Sequence, residues 1–126
     1  MSQIPRPGQP VRGSETGKPI MALLDLLGRR WALRVIWELR EDPLTFRDLQ
    51  ARCDGMSSSV LNQRLAELRA AWIVEQDGNG YRLTTEGTEL LLAFPAFQAW
   101  ADRWAEREAA ISRRPAAPLN RAVRRP

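Results

Sequence analysis

Apolar residues in the first part of the chain recur at helical spacing. Pro19 stands where a first helical turn tolerates proline, and Gly28 stands where a helix can end. Between them an apolar stripe recurs at Ile20, Leu23, Leu24 and Leu27. The pattern predicts a short first helix.

A second helix is predicted from Arg29 to Glu41. Asp42-Pro43 ends it, because a residue before proline is displaced from helical backbone angles. Its apolar residues form a central row and a flank, namely Trp31, Val35 and Leu39, then Leu33 and Trp37. So wide an apolar arc is typical of a helix that contacts two neighbours, and we expect this helix to be central to the core.

Two short helices joined by a tight turn are predicted next. Thr45 is a good N-cap for a helix that carries Phe46, Leu49 and Cys53, and Asp54-Gly55 breaks the chain before Ser57 begins another capped helix. The buried stripe of that helix is predicted at Leu61, Leu65, Leu68 and Trp72. Two short helices around a turn that contains glycine are the helix-turn-helix pattern.

A β-hairpin and a last helical region complete the pattern. Apolar and polar residues alternate in 73–76 and 81–84, around the turn Asp77-Gly78-Asn79-Gly80. Thr84 or Thr85 can cap the last region, which keeps a helical period to Ile111 and which Pro95 either kinks or restarts. The order of elements predicts a mainly α fold with a small antiparallel β-wing, a winged helix-turn-helix domain.

Composition divides the chain into one domain and two tails. The chain has 126 residues, 44% of them hydrophobic, and its prolines other than Pro43 and Pro95 fall near the two ends. The ends hold few large apolar residues that could offset the entropy of ordering them. We therefore predict a disordered tail at 1–18, the domain with its dimerisation helices at 19–111, and a disordered arginine-rich tail at 112–126.

The net charge of +4 is concentrated in these tails. Residues 1–19 carry three basic residues and one acidic residue, and 112–126 carry five arginines, so the remaining 92 residues carry a net −3. If the domain binds nucleic acid, it must do so through a local basic surface.

The residue types present exclude most enzyme chemistry. The chain has no histidine and one cysteine, which rules out the usual zinc sites, Ser-His-Asp or Cys-His constellations and an internal disulfide. We expect no enzyme activity, no catalytic residue, no metal and no cofactor. No apolar run is long enough to span a membrane and no secretory signal is present, so a cytoplasmic protein is predicted.

Candidate DNA contacts lie on the second helix of the helix-turn-helix. With its leucine stripe inward, Ser59, Asn62 and Gln63 project outward near its N-terminal half, where Asn and Gln can pair with adenine. Ser57 and Ser58 lie at the helix N-terminus, which attracts phosphate; simple capping is the alternative role, and the two can coexist.

Three arginines and the hairpin tip extend this candidate surface. Arg47 is placed to bind a phosphate. Arg64 projects at the edge of the buried stripe, where DNA contact and an ion pair with an acidic neighbour are equally good hypotheses. Arg82 and Asn79 of the hairpin can follow a phosphate backbone or enter the minor groove, but a generic tight turn has the same sequence.

The chain resembles the HxlR-type winged helix-turn-helix regulators, which are related to the MarR and PadR groups. The resemblance is carried by Lys18-Pro19, Gly28-Arg29-Arg30-Trp31, Phe46-Arg47-Asp48-Leu49, Met56 to Leu68, and Tyr81-Arg82-Leu83-Thr84-Thr85-Glu86-Gly87. Lys18 replaces the cysteine typical of the family, which argues against a thiol switch there. Trp72 replaces the glycine expected after the second helix, and Cys53 is expected in the core.

The resemblance implies a symmetric homodimer held by the first and last helices, to which we assign Leu23, Leu27, Phe97, Trp100 and Trp104. The function predicted is a transcriptional regulator that binds double-stranded DNA at a pseudo-palindromic operator. The alternative is a winged-helix module for protein–protein interaction that does not bind DNA, which the domain charge of −3 motivates. A small aromatic effector bound between the subunits is a further hypothesis that related families imply.

Overall fold

The computed structural model describes residues 4–11 and 17–113. These ranges contain, in chain order, α1 (Pro19–Leu27), α2 (Ala32–Glu38), α3 (Phe46–Arg52), α4 (Ser58–Ala70), β1 (Val74–Asp77), β2 (Gly80–Leu83), α5 (Thr85–Leu91) and α6 (Phe94–Ser112). The predicted mainly α fold with a two-stranded antiparallel wing is confirmed. The chain divides into two compact units, and the boundary follows Leu92.

The core of the first unit is built around α2 and α4. Val35 and Ile36 of α2 and Leu61 of α4 are fully buried, and Leu49 and Cys53 join them from α3 and its end. The predicted leucine stripe of α4 and the buried position of Cys53 are confirmed. The apolar face of α4 therefore packs inward and leaves its opposite face to solvent.

Side-chain caps define where three helices begin. The hydroxyl oxygens of Thr45, Ser57 and Thr84 accept hydrogen bonds from the N–H groups of Asp48, Val60 and Gly87 at 3.1, 3.1 and 2.9 Å. Each bond satisfies an amide that the first turn of a helix leaves unpaired. The predicted caps are confirmed, and Pro95 lies in the first turn of a separate helix, α6, which begins at Phe94.

The hairpin is tied to the chain before α3. Asp77 pairs with Gly80 at the tip, and Leu44 and Tyr81 exchange backbone hydrogen bonds of 2.9 and 2.8 Å. Gly80 has φ +122°, and a Cβ at this position would overlap the Leu44 carbonyl. Glycine is therefore required where the wing meets Leu44.

The prediction about Trp72 is wrong. Trp72 does not continue the buried stripe of α4, because the helix ends at Ala70 and Trp72 adopts φ +69° with 74% of its surface exposed. The prediction that α2 contacts more than one neighbour is confirmed, because it contacts α1, α3, α4 and α5. Leu33 and Trp37 on its flank are nevertheless exposed, and the Arg40 guanidinium lies 4.0 Å above the Trp37 ring. The helix itself is shorter than the predicted span from Arg29 to Glu41.

Part of each predicted tail lies in the described ranges. Pro5 and Gly17 are buried, and the Gly8 N–H donates to the Gly17 carbonyl at 2.8 Å. Of the predicted C-terminal tail, Ser112 belongs to α6 and Arg113 follows it, while the other residues lie outside the described ranges. The disorder of both tails stays a prediction. No helix in the described residues is long and apolar enough to cross a membrane.

Candidate nucleic-acid interface

The outward face of α4 is polar and open. Ser59, Asn62 and Gln63 are all exposed, on the side of the helix opposite the leucine stripe. Among the described residues, neither the Ser59 hydroxyl nor the Asn62 amide has a hydrogen-bond partner. Amide and hydroxyl groups that are free in this way can bind base edges in a major groove, which accommodates a helix.

The end of α3 holds the N-terminus of α4 in place. The Gln50 side-chain amide donates to the Met56 carbonyl at 2.8 Å and to the Ser58 hydroxyl at 3.1 Å. Asp54 and Gly55 turn the chain between the two helices with φ of +59° and +70°. Ser58 therefore stabilises the turn, a role that sequence analysis did not assign to it. For Gln50, the sequence offered only its position before the turn as an indication of this role.

Two exposed arginines of α3 and α4 have no partner within the described residues. Arg47 lies in the first turn of α3, and Arg69 lies in the last turn of α4, on the same side as Asn62. Within the described part of the chain, neither guanidinium forms an ion pair or hydrogen bond. Arg69 was missed by sequence analysis, although its spacing of seven from Asn62 places both on one helix face.

Arg64 is bound inside the protein. Its Nη1 donates to Glu67 Oε1 at 2.8 Å and its Nε to the Arg30 carbonyl at 2.6 Å, and 14% of its side chain is exposed. Arg29 Nη1 pairs with the other oxygen of Glu67 at 2.7 Å. Of the two hypotheses for Arg64, the structure supports the acidic neighbour, and the buried Glu67 is a residue that sequence analysis missed.

The wing carries its own counter-charges. Arg82 Nε pairs with Glu75 at 2.8 Å, and its Nη1 pairs with Asp77. The hydrogen bond to Glu75, followed by the charge of Asp77, raises the pKa of Arg82 above its ordinary value. Asn79 is exposed at the tip, where its N–H donates to Asp77 Oδ1 at 2.7 Å. Since two carboxylates face one guanidinium, the wing has no surplus positive charge.

The residues assigned to dimerisation differ between the two helices concerned. On α6, Phe97, Trp100 and Trp104 are exposed, and the two indole rings stack with their centroids 5.8 Å apart. On α1, Leu23 and Leu27 are half-buried. The exposed apolar residues of α1 are Ile20 and Leu24, with 56% and 52% of their surface accessible.

Neither a metal site nor a reactive thiol is present in the part of the chain that the structure describes. No three potential ligands among its carboxylates and cysteine are grouped to hold an ion. Burial raises the pKa of the Cys53 thiol, so the neutral form is favoured.

Known proteins with this sequence pattern and fold are transcriptional regulators. The regulator YodB of Bacillus subtilis is 35% identical over 88 residues, which cover 64% of this chain and 79% of YodB. The structure of quinone-bound YodB matches with a TM-score of 0.64 at 36% identity, over 67% of this chain and 96% of that one. A MarR-family regulator from Enterococcus faecalis matches with a TM-score of 0.65 at 26% identity, over 72% and 89%.

The family model described as HxlR-like helix-turn-helix matches residues 26–109, from the end of α1 to within α6. The relatives named above are transcriptional regulators. The chain therefore belongs to the HxlR-like helix-turn-helix family and is a transcriptional regulator of the HxlR/MarR type.

Proposed function

We propose that the chain acts as a homodimer that binds a pseudo-palindromic operator, with one α4 in the major groove of each half-site. The observation that carries this proposal is the outward face of α4, where Ser59 and Asn62 are exposed, and have no hydrogen-bond partner among the described residues, beside a capped helix N-terminus. A protein surface built only for solubility does not require the neighbouring turn to be fastened by Gln50 and Ser58.

Phosphate contacts are assigned to groups that the structure leaves available. Arg47 and Arg69 bind the backbone on either side of the groove, and the N–H groups of the first turn of α4 add a partial positive charge. Ser57 and Gln63 remain part of the contact set. Arg64 is left out because its guanidinium is already bound to Glu67. Arg82 and Asn79 contribute little, because Arg82 is neutralised by Glu75 and Asp77.

The dimer is proposed to form through the apolar faces of α1 and α6. Trp100 and Trp104 leave more than half of their surface exposed, and large aromatic residues dominate interface cores. Ile20 and Leu24 widen the surface that Leu23 and Leu27 begin on α1.

Selection from a pool of random DNA duplexes tests this proposal. The full-length, nuclease-treated protein is bound to the pool, and the retained duplexes are sequenced. We expect an enriched motif with two inverted half-sites about 10 base pairs apart, or a multiple of that spacing. Sedimentation of the same sample should give a dimer. If no duplex is retained, the protein–protein interaction module is supported instead, and retention without any enriched sequence would contradict sequence-specific binding.

A small aromatic effector is a second proposal, supported by two observations. The related YodB has been crystallised with quinone bound. In this chain, a cavity of about 340 Å³ lies in the first unit between Pro5, Leu23, Trp72 and Leu90. Because Lys18 takes the place of the family cysteine, binding there would be non-covalent. Quenching of tryptophan fluorescence by 1,4-benzoquinone, lost in Trp72→Ala, would support it, and equal quenching in both proteins would contradict it.

A further inference from the structure

Glu67 is the only charged residue buried among those that the structure describes, with 5% of its surface exposed. Its two carboxylate oxygens accept hydrogen bonds from two different guanidinium groups. Oε2 accepts from Arg29 at 2.7 Å, and Oε1 accepts from Arg64 at 2.8 Å. A buried carboxylate is tolerated only with such partners, and well-packed apolar residues often give equal or greater stability at such a position. Stability alone therefore does not account for Glu67.

The bonds of Glu67 connect α4 to the corner between α1 and α2. Arg29 stands in this corner, and Arg64 also donates from Nε to the Arg30 carbonyl at 2.6 Å. The corner is itself a defined conformation, because Trp31 adopts φ +75°. Two charge-assisted hydrogen bonds, from Arg29 to Glu67 and from Arg64 to the Arg30 carbonyl, thus fix α4 against this corner, and the Arg64–Glu67 pair within α4 joins them.

These bonds fix the rotation of α4 about its own axis, which the leucine stripe does not. Contacts of Leu61, Leu65 and Leu68 hold α4 against the core, but apolar attraction has no direction and permits the helix to roll about its axis. Hydrogen bonds weaken steeply when their geometry changes, so the bonds of Glu67 resist such a roll. A roll of about 10° moves a side-chain tip at about 5 Å from the axis by roughly 1 Å, which exceeds the tolerance of a binding constellation.

The outward face of α4 is connected directly to Glu67 through Gln63. Gln63 lies one turn before Glu67, and its amide nitrogen lies 3.5 Å from Glu67 Oε2. The carboxylate attracts the amide N–H₂ group, which leaves the Gln63 carbonyl oxygen directed outward as an acceptor. An acceptor suits the amino group of adenine or cytosine.

We propose that Glu67, held by Arg29 and Arg64, is a positioning residue that fixes the rotation of α4 and thereby determines the base that Gln63 prefers. This inference depends on the proposed function, in which α4 lies in the major groove. It adds a residue that does not touch DNA to those that determine sequence preference.

The test repeats the duplex selection with two variants of the full-length chain. Glu67→Gln keeps the shape and removes the charge that both guanidiniums need. Arg64→Lys keeps a cation beside Glu67 but removes the planar group that also reaches the Arg30 carbonyl. Ile36→Val is the matched control, because it weakens the same core by packing alone. All proteins are selected at a temperature where circular dichroism shows them folded.

For both variants we expect the ratio of preferred to disfavoured base to fall about tenfold at the position read by Gln63. Affinity for a random duplex and the salt dependence of binding should stay as in the wild type. Ile36→Val should enrich the wild-type motif although its thermal midpoint is lower. If Glu67→Gln does not fold, Arg64→Lys decides the outcome.

One outcome of this selection would contradict the inference about Glu67, and a different outcome would contradict the proposed function. If the wild type enriches a motif and the folded variants enrich it with unchanged base ratios, Glu67 is only structural and the inference is wrong. If the wild type enriches no motif, the proposed function itself is wrong.

Discussion

The two long helices of this protein, α4 and α6, differ in the burial of their apolar residues. α4 buries Leu61, Leu65 and Leu68 and exposes a polar face. α6 has no buried residue, and Trp100 and Trp104 remain more than half exposed. Both helices are amphipathic, yet the chain itself completes the packing of only one of them.

This difference indicates two kinds of recognition. Exposed polar groups on a helix that is fixed in a core can pair with directional partners such as base edges. Exposed indole rings gain most from removal from water, and the partner that supplies an equal surface is a second copy of the helix. The comparison therefore supports the proposals of base contacts on α4 and self-association through α6, and each proposal can be tested separately.

The largest effect is expected on α6. Replacing Trp100 and Trp104 with Ala together should weaken the dimer by about 2–4 kcal/mol, because central aromatic residues are typical hot spots of an interface. That loss corresponds to roughly 30- to 1,000-fold in the dimer dissociation constant, measured by analytical ultracentrifugation.

The control for this variant is Trp72→Ala. Trp72 is also exposed but lies outside both proposed dimer helices, so its loss should leave the dimer intact. Equal dissociation constants for wild type and the α6 double variant would show that the exposed rings are not at the dimer interface.

A smaller, selective effect is expected on α4. Asn62→Ala should cost about 1–3 kcal/mol on the selected motif, because a bidentate pair with a base would be lost. Affinity for random duplex should change little, and gel-shift titrations on both duplexes measure the difference.

Arg47→Ala is the counterpart on the phosphate side. It should weaken binding to motif and random duplex by the same factor, since a phosphate contact carries no sequence information. If Asn62→Ala shows this uniform pattern too, the outward face of α4 does not contact bases.

The helix starts and the buried face of α4 could be predicted from sequence because their determinants are local. The caps at Thr45, Ser57 and Thr84 and the leucine stripe of α4 depend on residues within one or two turns of each other. Their helix starts and the inward face of α4 were predicted correctly.

The errors arise where the determinants are not local. Apolar spacing continues from Leu68 to Trp72 although α4 ends at Ala70, and the left-handed angle of Trp72 is rare for a bulky residue. The pairing of Glu67 with Arg29 joins residues 38 positions apart, which periodicity does not reveal.

Cys53 lies in the core at the end of α3, beneath α4. Its replacement is expected to cause a modest loss of stability. Cys53→Ser should lower the free energy of unfolding by about 1–3 kcal/mol, because a hydroxyl is buried without a partner. Chemical denaturation measures it. Since burial raises the pKa of the thiol, its contribution to stability is present at neutral pH and declines as the pH rises above about 9.

The same residue tests whether α4 is controlled by oxidation. A fully buried thiol that stays neutral should not react with diamide, so DNA binding should be unaffected by it. Release of DNA by the treated wild type, with Cys53→Ser insensitive, would show that the core beneath α4 opens and that the thiol is a switch.

The smallest effect is expected on the wing, where it sharpens the assignment of DNA contact to α4. Replacing Glu75 with Gln and Asp77 with Asn frees Arg82 from both of its carboxylate partners. If the wing lies beside the backbone, the freed guanidinium gains a phosphate, and the slope of log K against log salt steepens by about one unit. The added Arg82→Ala change should restore the original slope, because it removes the only cation of the hairpin strands. A slope that is the same in all three proteins would place the wing away from the phosphates and leave α4, with Arg47 and Arg69, as the DNA-binding surface of each subunit.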